Sequence, residues 1–236
     1  MKISRALFFI ALFAATAASG DDSPTISPAK TADAAGFVSI QALVPDIRLE
    51  MHYAGNDNFV GKRIDGYEAA RCYLLKPVAE ALQRVELALR DESMRLKLFD
   101  CYRPVRAVAN FVEWAGDLAD QQTKAAHYPR LDKSQLLHGY IASTSGHSRG
   151  ATMDLTAMSC DDQDRCTNLD MGTDFDFFDT RANTESPEVT ALQRANRQRL
   201  RIAMEKQGFR NYPMEWWHYT FEPEPSKDVA YDFPVK

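Results

Sequence analysis

Apolar residues recur at helical spacing in three stretches of the chain. Val78, Leu82, Val85 and Leu89 do so between Pro77 and Arg90, with the proline in the first turn, where its missing N–H costs nothing. Val108, Phe111, Val112, Ala115 and Leu118 form the second stripe, on a helix that Pro104 opens. Val189, Leu192, Ala195, Ala203 and Met204 form the third, with Ser186 as N-cap, Pro187 behind it and Gly208 at the end. Three shorter stretches read as strands. Arg95–Cys101 sets Leu96 and Leu98 against Lys97 and Phe99, and Ala151–Thr156 puts Thr152, Asp154 and Thr156 on one face. Met214–Phe221 is the last strand, and Phe37–Tyr53 is extended up to a break at Pro45. The segment between Gln121 and Gly139 is polar and reads as a surface excursion, and the tail from Glu222 as irregular.

The ends of this pattern set the domain. Lys2 and Arg5, the apolar run Ala6–Ala15 and the small residues up to Gly20 read as a secretory signal peptide, too short for a stable anchor. Residues 21–36, rich in Ser, Thr, Pro and Ala, read as a flexible leader, and residues 37–236 as one domain. No other apolar run reaches membrane-spanning length, so no membrane span is expected after cleavage. The formal charge of −5 argues against nucleic acid as a partner. Export to a periplasmic or secreted location gives the 4 cysteines a disulfide reading. Cys160 and Cys166 enclose a short polar loop, and Cys72 with Cys101 follow by elimination.

Two stretches carry the chemistry. Ser145-Gly-His-Ser-Arg-Gly-Ala-Thr-Met-Asp154 holds His147 and Asp154, and Glu215-Trp-Trp-His218 holds a second histidine. Two histidines and an aspartate are a complete protein ligand set for one catalytic Zn²⁺, with a fourth position left open for water. Glu215, near the last ligand, suits a general base, and the flanking tryptophans would desolvate it and raise its pKa. On a regular strand Glu215 and His218 would point to opposite faces, so the chain must bend there or Glu215 must precede the strand; Pro213 makes the second natural. Arg103 falls at a strand-to-helix junction and either pairs with Asp100 or stabilises charge in a reaction. His52, His127 and His138 have no such companions and receive no role.

These stretches, with Asn58–Gly61, Asp100-Cys-Tyr-Arg-Pro104 and Met171–Phe178, resemble the zinc D-alanyl-D-alanine dipeptidases of the VanX type. Their wider family includes D,D-carboxypeptidases and hedgehog-like zinc domains. The resemblance implies a single α+β domain whose central antiparallel sheet carries the metal, flanked by helices. It implies one Zn²⁺ held by His147, Asp154 and His218, with Glu215 as base and Arg103 on the oxyanion. It implies a small D,D-dipeptide substrate, with Asp176 on its ammonium and Ser145 lining the site. Trimming of longer peptidoglycan peptides, or metal-dependent binding without catalysis, are the other activities such a domain can have. Thr152 departs from the family pattern, which has alanine there.

Overall fold

The computed structural model describes residues 24–236 of the chain, so the expected signal peptide lies outside the described residues. In chain order the elements begin with β1 (Thr25–Ile26), β2 (Phe37–Ser39), β3 (Arg48–Leu49), β4 (Tyr73–Leu75), α1 (Lys76–Arg90), β5 (Met94–Asp100) and α2 (Val105–Gly116). They continue with α3 (Lys124–His127), β6 (Thr152–Cys160), β7 (Cys166–Asn168), α4 (Ala191–Glu205), β8 (Phe209–Asn211), β9 (His218–Phe221) and β10 (Val229–Ala230). The architecture is α+β, with one mixed but mainly antiparallel sheet at its centre.

Strand β6 is the axis of that sheet. It pairs antiparallel with β5 on one side; on the other, its first residues pair with β9 and its last with β7. β3 extends the sheet beyond β5 in parallel, and β8 extends it beyond β9. Leu96 and Leu98 of β5 lie opposite Ala157 and Leu155 of β6, and Met153 lies opposite Tyr219, so one face is apolar throughout. Helix α1 contributes Val78, Leu82, Val85 and Leu89 to the core, and α4 packs beside it. The opposite face carries Asp154 beside His218 and Thr152 beside Thr220.

A bulge in β5 decides what else reaches that second face. Leu98 pairs with Leu155, but the next pair is Asp100 with Asp154, leaving Phe99 as the extra residue. Strict alternation would have put Asp100 on the apolar face. The bulge turns it to the polar face, beside Asp154.

Several expectations need correction. The leader is not free beyond residue 24: Thr25–Ile26 pairs in parallel with Val229–Ala230, and the tail buries Phe233 and Val235. Helix α2 stops at Gly116, so Leu118 lies past its end and is exposed, while Trp114 takes the inner position. The segment 121–139 is no surface excursion, since Tyr128 and Leu136 are fully buried and Lys133 is held under the Trp114 ring. Helix α4 begins at Ala191, not Ser186, because Thr190 and Gln193 form a reciprocal capping box there. Leu192 and Ala195 therefore face outward, and the buried positions are Asn196, Arg197, Leu200 and Met204. Arg197 is tolerated inside because its guanidinium donates to the carbonyls of Met171, Asn183 and Arg181. Strand β6 runs on to Cys160, and the last strand begins only at His218.

Candidate active site

His147 sits in a single 3₁₀ turn, Gly146–Arg149, just before β6. Ser145 caps that turn, its oxygen accepting from the His147 N–H at 3.3 Å. Gly150 ends it in the left-handed conformation, where any Cβ would run into the Phe37 ring. Gly146 is equally constrained, because a Cβ there would press on the Thr152 hydroxyl. The imidazole is fixed by its far edge: Nδ1 lies 2.7 Å from the Cys101 carbonyl, which only accepts, so Nδ1 carries the proton. Nε2 is then a free lone pair, and it faces Asp154.

Asp154 and His218 come to it from paired positions of β6 and β9. His147 Nε2 is 3.3 Å from an Asp154 oxygen and 3.4 Å from His218 Nδ1. His218 Nδ1 is 3.1 Å from the other Asp154 oxygen, a buried atom with no well-directed hydrogen-bond donor among the described residues. Ligand atoms around a tetrahedral Zn²⁺ at 2.0–2.1 Å are separated from one another by roughly 3.3 Å. The three side chains fit that ion, in donor type and in spacing. The facing histidines hold the Asp154 carboxyl below its ordinary range although burial opposes this, and burial pushes the His218 imidazole down.

Glu215 takes the second of the two routes open to it. It lies in the turn before β9, where its N–H bonds the Tyr212 carbonyl and its own carbonyl receives the His218 N–H. Its carboxylate comes within 3.4 Å of His218 Nδ1 without being needed to complete the three-ligand cluster. Burial drives its pKa well up, the charges of Asp154 and Asp176 add to the rise, and Arg103 opposes it.

Arg103 does both things the sequence left open. Its Nε donates to Asp100 at 2.9 Å, while a second nitrogen reaches toward Asp154 at 3.4 Å. Its guanidinium lies over the Tyr53 and Phe111 rings. Asp100 is fully buried, accepts from Tyr67 at 2.6 Å, and lies 3.5 Å from His147 Nδ1. One carboxylate thus orients both an arginine and a histidine of the cluster. Its only sequence signal was its place in the Asp100–Pro104 stretch.

A cavity of about 300 Å³ opens above the cluster, and Tyr53, Arg103, Asp154, Asp176, Glu215 and His218 are among its walls. Asp176 is buried in its side wall with φ 54°, a left-handed conformation that costs a non-glycine residue roughly 1–2 kcal/mol. Its carboxylate accepts from the Tyr53 hydroxyl at 2.8 Å and makes no ion pair among the described residues. Burial raises its pKa well above the carboxylate range, with the Asp154 charge adding to it. Nothing in the sequence singled out Tyr53. Thr152 bonds the Thr220 hydroxyl at 2.9 Å across the β6–β9 pair, tying together the strands that present Asp154 and His218. The structure also joins Cys72 to Cys101 and Cys160 to Cys166.

Two histidines and a carboxylate converging on one point, with a second carboxylate and an arginine at the cavity wall, define a metal-assisted hydrolase site. The chain belongs to the D-ala-D-ala dipeptidase family, which matches residues 33–236, and is a metallopeptidase of that family. It is 39% identical over 202 residues to a D-alanyl-D-alanine dipeptidase of Enterococcus faecium, covering 85% of this chain and 98% of that protein. It is 40% identical over 200 residues to one from Streptomyces coelicolor, covering 84% and 98%. The Escherichia coli protein of the same name is 31% identical over 201 residues, covering 85% and 92%.

Proposed function

We propose that the chain hydrolyses the dipeptide D-alanyl-D-alanine to two D-alanines, using one Zn²⁺ per chain held by His147, Asp154 and His218. The observation that carries this reading is the buried three-ligand cluster with Glu215 and Arg103 on one cavity. When bound there, Zn²⁺ supplies Lewis acidity, polarising a carbonyl and lowering the pKa of a water toward about 7. Glu215 receives the water proton and later delivers it to the leaving amine. Its burial suits it to both tasks, since a raised pKa makes it a better base and then a usable acid. Arg103, kept cationic and aimed by Asp100, donates to the oxygen on which negative charge develops. Asp176 faces the cavity with, among the described residues, only a hydroxyl partner, and the substrate ammonium supplies the missing cation. Ser145 lines the same cavity beside the His147 turn.

The paired cysteines and the N-terminal apolar run support export of the enzyme to the periplasm or the medium. Purified protein loaded with zinc, assayed on D-Ala-D-Ala beside a longer stem peptide ending in D-Ala-D-Ala, tests the substrate. Turnover of the dipeptide alone is expected. Trimming of the long peptide with the dipeptide untouched would reassign the chain to carboxypeptidase work.

A further inference from the structure

The turn that presents Asp176 is held from behind by one residue of a different segment. His127 ends the short helix α3, far from Asp176 in sequence. Its ring Nδ1 lies 3.0 Å from the Asp176 carbonyl, and its own carbonyl accepts the Phe178 N–H at 2.7 Å. The Asp176 carbonyl can only accept, so Nδ1 bears a proton. His127 is itself anchored: its N–H bonds the Thr123 carbonyl at 3.0 Å, and the Thr123 hydroxyl donates to the Phe59 carbonyl at 2.5 Å. Its ring meets the Phe59 ring edge-on. A left-handed aspartate relaxes toward ordinary backbone angles unless its surroundings hold it. Here the Tyr53 hydroxyl holds the carboxylate, and His127 holds the backbone that follows it, at the Asp176 carbonyl and the Phe178 N–H.

We propose that His127 is a positioning residue for substrate recognition. Its Nδ1–H and its carbonyl grip the Asp176–Phe178 turn and fix the angle at which the Asp176 carboxylate meets the substrate ammonium. This rests on the reading in which Asp176 takes that ammonium. The bond to Phe178 comes from the backbone and survives any substitution, so only the ring bond depends on histidine. Asparagine places an amide N–H near where Nδ1 stands; phenylalanine keeps the ring without the donor; glutamine keeps polarity but reaches past the carbonyl.

The test compares kcat/KM for D-Ala-D-Ala with that for N-acetyl-D-Ala-D-Ala in the zinc-loaded enzyme. Where the acetylated peptide turns over too slowly, its inhibition constant replaces kcat/KM. His127→Phe lowers the free-to-acetylated preference roughly three- to tenfold, the scale of one neutral hydrogen bond, and chiefly through KM. His127→Asn restores the preference. If the phenylalanine variant does not fold, His127→Gln carries the same expectation. An equal fall on both peptides, or no rescue by asparagine, overturns the proposal. Asp176→Asn separates the two levels: an unchanged preference there refutes the ammonium reading itself and the role of His127 with it. A collapsed preference in Asp176→Asn beside an unchanged one in His127→Phe refutes only the role of His127.

Discussion

The floor of the site and its side wall are built by different means. On the floor, Asp154 and His218 are opposed residues of two paired strands, and the His147 turn leads directly into the first of them. Backbone hydrogen bonds set their spacing, so the proposed metal ligands inherit the rigidity of the central sheet. The side wall is loop. Asp176 belongs to no strand or helix, adopts a strained backbone, and is held by single hydrogen bonds from Tyr53 and His127. The proposed chemistry thus falls on the stiffest part of the fold, and the proposed recognition on a part that a few contacts define.

The sharpest way to break this contrast is through the floor. His147→Ala or His218→Ala should abolish metal binding and activity together, measured as bound zinc in purified protein. Full zinc occupancy in both variants would show that the ligand set is wrong. Glu215→Ala should keep its zinc while kcat falls by roughly 10²–10⁴, the range of a positioned general base. Loss of zinc in that variant would make Glu215 a ligand. Arg103→Ala should lower kcat by about 10²–10³, with lysine restoring only part, because Asp100 and the cavity engage two edges of one planar group. A wild-type kcat in Arg103→Ala would leave the oxyanion to other groups.

The wall offers a gentler test. Asp179 is buried and held below its ordinary pKa by Arg130 and Arg181, against the opposing effect of burial. A depressed carboxylate contributes stability that is complete above its ordinary value near 4 and is lost as pH falls through the lowered one. In Arg130→Ala part of that contribution is already missing near neutral pH, so unfolding midpoints should lie below wild type there and the two curves should converge as pH falls. Parallel curves would mean that Arg130 contributes nothing there. Smallest of all, Thr152→Ala should cost about 1 kcal/mol or less and leave kcat unchanged, since strand pairing alone keeps Asp154 and His218 in register. A marked fall in kcat would mean that the floor depends on that side-chain bond.

The same contrast governs what was legible in the sequence. The floor announced itself because its residue types are specific to one chemistry and its strands are short and patterned. Even the parity conflict between Glu215 and His218 pointed correctly to a turn before the strand. The wall did not announce itself. Tyr53 and His127 act through single contacts across the fold, and no local spacing reports such partners. The errors at Leu118 and Leu192 have another cause: both continue a helical stripe that the chain abandons, one past the end of its helix and one on a turn that Thr190 has re-phased. The segment around Tyr128 and Leu136 looked like surface because its few buried residues are spaced without period.

The bulge at Phe99 makes one stretch of this protein forgiving of a change in length. Removing that residue would let β5 and β6 pair without interruption, and the ladder would lose almost nothing. The Asp100 carboxylate would stay on the polar face, because it would then follow Leu98 directly and alternate with it. Replacing Phe99 by another residue leaves the count, and so the direction of Asp100, intact. A library of single-residue deletions would therefore keep Asp100 aimed at the site when Phe99 is the residue lost, at the expense of the Phe99 ring stacked on Phe175.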